Sequence, residues 1–236
     1  MSNRLTFKRG IKDGIPICLG YIPVSFAFGI TTIVMGVPGW TAILVSLTNL
    51  TSAGQYAGVE MIAEKCAYFE LALTVFVINL RYMLMSLAVS QKLEPGIPAW
   101  QKMIFGFGIT DETFVMASIQ KGRLNTSYML GLIALPIFGW NFGTIAGVIA
   151  SGLLPGNMQS ALGIALYAMF IAIIIPPAAE NPKVMIIAGI AIAISCIMFY
   201  TPVLSGVSSG MRVIIASVIA AAAGAYFFPK KEVSIS

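Results

Sequence analysis

Long apolar runs punctuated by glycine and proline set the pattern of this chain. Residues 15–37, 40–62, 68–90, 99–119, 128–153, 160–178, 183–200 and 208–228 read as eight apolar segments. Each approaches the ~20 residues a helix needs to cross a bilayer. Breakers separate most of them: Gly36-Val37-Pro38-Gly39, Pro95-Gly96-Ile97-Pro98, Pro155-Gly156-Asn157, Pro176-Pro177 and Pro202. No segment alternates as a barrel strand would, so helices must satisfy the backbone inside lipid. The pattern predicts an all-α polytopic transmembrane bundle of about eight spans. It occupies residues 15–228, between a basic cytoplasmic segment, 1–14, and a short cytoplasmic tail, 229–236.

Composition supports this solvent. Of 236 residues, 58% are hydrophobic and 10% charged, against roughly 25% charged in soluble domains. The first apolar stretch is too long for a signal-peptide core and has no small-residue cleavage pattern after it. The net charge of +5 is spread over loops and tails rather than gathered with aromatics, which argues against nucleic-acid binding. Three scattered cysteines and no histidine leave no ligand set for a metal and no Cys–His nucleophile.

Charge also arbitrates topology, because cytoplasmic loops collect Lys and Arg. The doubtful segment is the fourth, which holds Lys102, Asp111 and Glu112. With eight spans and a cytoplasmic N-terminus, ten basic residues fall inside and only Lys92, Lys102 and Arg212 outside, leaving Arg81 in the membrane. If the fourth segment alone fails to cross, the count becomes six against seven. Eight spans with both termini cytoplasmic is therefore expected.

Polar groups at membrane depth are expensive and each needs a reason. The second segment carries Asn49, Ser52 and Gln55, three apart and so on one side of a helix, with Gly54 and Gly58 making a broken helix plausible. The third carries Asn79 and Arg81, too deep to snorkel; Arg81 calls for an acidic partner or a substrate carboxylate. The fourth supplies Asp111 and Glu112, whose side chains diverge by roughly 100° and whose charge state is contested between burial and a nearby cation. Pairing of Arg81 with Asp111 is expected, with Asn79 or Gln55 completing the network. The fifth adds Trp140 and Asn141, within a run in which Gly139, Gly143 and Gly147 repeat at a helix-packing interval. That glycine face can meet another helix of this chain or a second subunit. A Pro-to-Phe-Gly run occurs twice, from Pro23 to Gly29 and from Pro136 to Gly143, and raises a two-half organisation.

Several of these stretches together resemble the AzlC-like branched-chain amino acid permease family. They are Gly14-Ile15-Pro16 with Pro23 and Phe28-Gly29, Ala53-Gly54-Gln55-Tyr56-Ala57, Asn79-Leu80-Arg81-Tyr82, Thr110-Asp111-Glu112-Thr113-Phe114 and Gly139-Trp140. Thr48–Ser52 is more polar than the family pattern. The resemblance implies a cell-membrane exporter of leucine, isoleucine, valine or close analogues, without a cofactor. It also implies a small AzlD-like membrane partner of about four spans. A passive channel and a non-transporting assembly subunit are the competing readings. An enzyme is disfavoured, because an intramembrane aspartyl protease needs two deep aspartates and this chain has only Asp13 and Asp111.

Overall fold

A computed structural model describes residues 5–153, 171, 175, 178–201 and 206–228. The chain is all-helical there, with no strand among the described residues beyond one isolated bridge between Leu93 and Leu124. Its helices are α1 (Phe7–Val34), α2 (Gly39–Thr48), α3 (Ala53–Ala63), α4 (Tyr68–Lys92), α5 (Ala99–Phe107), α6 (Asp111–Ile119), α7 (Thr126–Ser151), α8 (Pro182–Tyr200) and α9 (Ser209–Phe227). Five of them, α1, α4, α7, α8 and α9, are long and apolar enough to cross a membrane. The chain is thus a polytopic membrane protein. The expected sixth span, 160–178, lies largely outside the described residues.

The second segment is broken as expected, but there and in the unexpectedly broken fourth segment the two half-helices fold back on themselves instead of crossing. The 10 residues of α2 reach only about 15 Å, half a bilayer core. Residue contacts fix the direction of each half. Gly39, at the start of α2, packs on Val148 near the end of α7, and Ser46 meets Thr144 at 2.8 Å. The return limb α3 runs antiparallel to α4, with Gly54 against Asn79 and Gly58 against Val75. Both limbs share an apolar cluster with Phe28 and Val37, so the hairpin enters and leaves by the face where α1 ends.

The α5–α6 hairpin does the same from the other face. Thr126, opening α7, donates to Gln101 in α5 at 2.8 Å. At the far end of α6, the Lys92 ammonium donates to the Ala117 carbonyl at 3.2 Å, a cation placed at a helix C-terminus. Asn125 then donates to the Leu5 carbonyl at 2.7 Å, fixing this as the face where the chain begins. Long helix plus hairpin therefore occurs twice, as α1 with α2–α3 and as α4 with α5–α6, in opposite directions. The repeat suggested by Pro23 and Pro136 is of another kind: it matches α1 to α7, which lie side by side and parallel.

Among the described residues, that α1–α7 contact is the closest helix packing. Added methyl groups at Gly139 and Gly143 would come within 2.6 Å of Cys18 Sγ and 2.5 Å of the Ile22 carbonyl, and Gly147 faces Phe26 in the same way. The glycine face thus meets another helix of this chain. Small residues let the two backbones touch where lipid supplies no hydrophobic drive. Near the C-terminus, Gly224 of α9 rests on Ile187 of α8, and Ser208 at the head of α9 donates to the Glu70 carboxylate in the first turn of α4. This sets α9 parallel to α4.

Two outcomes follow from the geometry. Gly143→Leu should cost on the order of 3 kcal/mol by overpacking, seen as loss of folded protein in a thermal melt; an unchanged midpoint would refute the tight α1–α7 contact. Cysteines placed at Glu94 and Lys121 should react with an impermeant thiol reagent from the same face, and one at Tyr68 from the other. Opposite accessibility of positions 94 and 121 would restore the fourth segment as a span.

Candidate functional site

The two breaks meet at half-depth. In the second segment the helix stops at Thr48 and resumes at Ala53, leaving Asn49–Ser52 between the two limbs. Asn49 is extended, and Ser52 sits at φ 46, a conformation L-residues rarely adopt. The Gln55 side chain bridges this gap: its Oε1 accepts from Thr51 N at 3.2 Å and its Nε2 donates to Ser46 Oγ at 3.2 Å. In α5–α6, the break is sealed by a reciprocal cap. Thr113 N donates to Thr110 Oγ1 at 3.3 Å, Thr110 N donates to Thr113 Oγ1 at 2.7 Å, and the Thr113 hydroxyl donates to the Gly108 carbonyl at 2.9 Å.

Helix α4 ties the breaks together. Arg81 Nη1 lies 2.8 Å from Asp111 Oδ2, so the expected pair is present; the two side chains are 38% and 34% exposed. Neither Asn79 nor Gln55 completes it. Tyr82 does, accepting from Arg81 Nη2 at 3.0 Å and donating to the Thr51 carbonyl at 3.3 Å. Arg81 thus holds the first residue of α6, and the adjacent Tyr82 holds the break before α3. The two acids diverge as helical spacing requires. Glu112 turns to Tyr21, whose Oη lies 2.5 Å from Glu112 Oε2 and 2.6 Å from Thr110 Oγ1. One phenolic proton can serve only one of them.

Around these groups is a cavity of about 670 Å³ at the middle of α1, α4 and α7, within the usual range for small-molecule sites. The N-termini of α3 and α6 lie at its wall, bringing partial positive charge. Val24, Leu50, Val77 and Ile78 give it an aliphatic side, and Ser217 of α9 closes it. Of the predicted residues, Ser52, Arg81, Asp111, Glu112 and Trp140 line the cavity. Asn49, Gln55, Asn79 and Asn141 do not. Asn49 and Gln55 were expected to share the face of Ser52, which requires an unbroken helix; Gln55 is a brace for the break instead. Asn79 packs on Gly54, and Asn141 donates back to its own helix at the Ile137 carbonyl, 2.9 Å away.

Tyr21, Tyr82 and Thr110 were missed as site residues. Each is an amphipathic group within an apolar run, the signal that singled out Trp140. Tyr21 packs edge-on to Trp140 with centroids 5.3 Å apart, so the buried indole and phenol form one wall. Among the described residues, no group of three His, Cys, Asp or Glu could hold a metal ion.

The family model described as AzlC protein matches residues 16–154. That stretch contains every cavity-lining residue named here except Ser217. The chain is 29% identical over 215 residues to the inner membrane protein YgaZ of Escherichia coli (strain K12), covering 87% of this chain and 88% of the relative. It is 30% identical over 181 residues to an uncharacterized membrane protein of Archaeoglobus fulgidus, covering 75% and 78%. No solved structure matches.

Replacing Arg81 or Asp111 alone by Ala should destabilise the protein by about 1–3 kcal/mol, since either leaves a charge without its partner in a site only partly open to water. The double variant should melt closer to wild type than either single one. All three midpoints equal to that of wild type would show that the pair contributes nothing to folding.

Proposed function

This chain belongs to the AzlC family, and on that footing we propose that it exports branched-chain amino acids or close analogues across the cell membrane through the mid-depth cavity. The observation that carries this reading is the cavity itself, where an aliphatic wall faces charged groups and helix termini. An amino acid such as leucine presents a carboxylate, an ammonium and a branched apolar chain, and the cavity has a counterpart for each. Two short hairpins entering from opposite faces are also suited to transport, because each separates the cavity from one side of the membrane. In broken-helix transporters, half-helix ends hold the solute while surrounding elements rock.

Orientation follows from the positive-inside rule. With both hairpins re-entrant, Lys8, Arg9, Lys12, Lys92, Lys102, Lys121, Arg123 and Lys183 fall on the face where the chain begins, against Lys65 and Arg212 on the other. We place the former face in the cytoplasm, with both termini. A small AzlD-like subunit belongs to the proposal on the strength of the family resemblance, and catalysis does not.

The test is intracellular leucine, isoleucine and valine in cells loaded with each, with and without this protein and its small partner. Expression should lower all three and leave lysine and glutamate unchanged. Equal loss of lysine, glutamate and leucine would indicate an unselective pore, and no loss of any would remove the export reading.

A further inference from the structure

The two acids at the head of α6 are not equivalent. Asp111 spends its charge on Arg81 at 2.8 Å. Glu112, one residue on and turned to another side, lines the same cavity, is exposed, and has no basic partner among the described residues. Its contact is the neutral hydroxyl of Tyr21. Arg81, Asp111 and Glu112 together leave the cavity one formal negative charge, attached to Glu112. Two unsatisfied donors line the same cavity. The indole N–H of Trp140, a residue only 2% exposed, and the hydroxyl of Ser52 are buried cavity-lining groups with no hydrogen-bond partner. Buried polar groups are nearly always satisfied, so such orphans point to a missing partner.

From this division we infer that Glu112, rather than Asp111, receives the cationic group of the transported solute. Ser52, the N-cap of the 11-residue α3, and Trp140 of α7 receive its anionic group. This deepens the reading of the site as one for a zwitterionic amino acid and rests on it. An ammonium at Glu112 would replace a neutral contact by a charge-assisted one. An ammonium at Asp111 would have to compete with a guanidinium already seated there. The carboxylate would find the Ser52 and Trp140 donors and, at Ser52, the positive end of α3.

The test is calorimetric binding to purified protein in lipid nanodiscs. The probes are leucine, 3-methylbutylamine, which lacks the carboxylate, and 4-methylpentanoate, which lacks the ammonium. Wild type should bind the amine, and Glu112→Gln should weaken amine and leucine by about tenfold or more while leaving 4-methylpentanoate unchanged. A melting midpoint shows whether the variant is folded. If it is not, Glu112→Asp, which withdraws the charge by one carbon, must weaken the amine more than 4-methylpentanoate. Equal amine binding by wild type and Glu112→Gln would overturn the assignment, as would no amine binding by wild type. Amine binding that depends on Glu112 in a protein that ignores leucine would sustain the subsite and instead sink the proposed substrate.

Discussion

A helix that stops halfway through a bilayer exposes backbone amides and carbonyls where no lipid can satisfy them, and this constraint organises the chain. Two helices stop in this way, and the surrounding residues answer with protein partners. Gln55 stitches one break to Ser46 and Thr51; Thr110 and Thr113 close the other. Arg81 and Tyr82 then attach both breaks to the middle of α4. The cavity is the space left between breaks that cannot be filled with apolar side chains without abandoning those partners. Polar chemistry at half-depth is thus a by-product of the fold before it is put to use.

Rigidity is distributed unevenly to match. Along α1 and α7 the backbones touch through Gly139, Gly143 and Gly147, a contact with no slack for even a methyl group. The hairpins have no such seam. They are short, end at half-depth, and are held by hydrogen bonds, the Arg81–Asp111 pair and side-chain packing such as Gly39 on Val148 and Gly108 on Ile133. The parallel pair α1–α7 therefore serves as the frame, and the half-helices are the elements whose attachment can change at modest cost.

Much of this was legible in the sequence. The apolar segments, the Arg81–Asp111 pair and the Gly139–Gly147 packing face were each readable from spacing and from the expense of charge in lipid. Direction was not. Hydropathy measures how long an apolar run is, and residues 40–62 and 99–119 are long enough to cross; nothing in their apolarity says that they turn back. Charge counting failed to expose this because two such turns cancel. Had one segment alone folded back, every later loop would have changed sides. With both, only Lys65, Lys92 and Lys102 do among the described basic residues, and Lys121, Arg123, Lys183 and Arg212 keep the sides that eight spans give them. The same oversight misplaced Asn49 and Gln55, since a shared helical face presumes a continuous helix. Tyr21 and Tyr82 escaped notice because their roles depend on partners about 90 and 31 positions away in sequence.

The hairpins also alter the electric geometry of the membrane. A 10-residue limb such as α2 is about 15 Å long, so when water fills the cavity from one side, the protein left between it and the other side is about half the usual ~30 Å of insulator. The transmembrane voltage then drops over that shorter distance, and the local field is roughly doubled. One elementary charge moved through the full drop is worth about 2.3 kcal/mol per 100 mV. A solute with a net charge would gather that energy in a displacement of half a bilayer, whereas a neutral zwitterion would cross the same field with none.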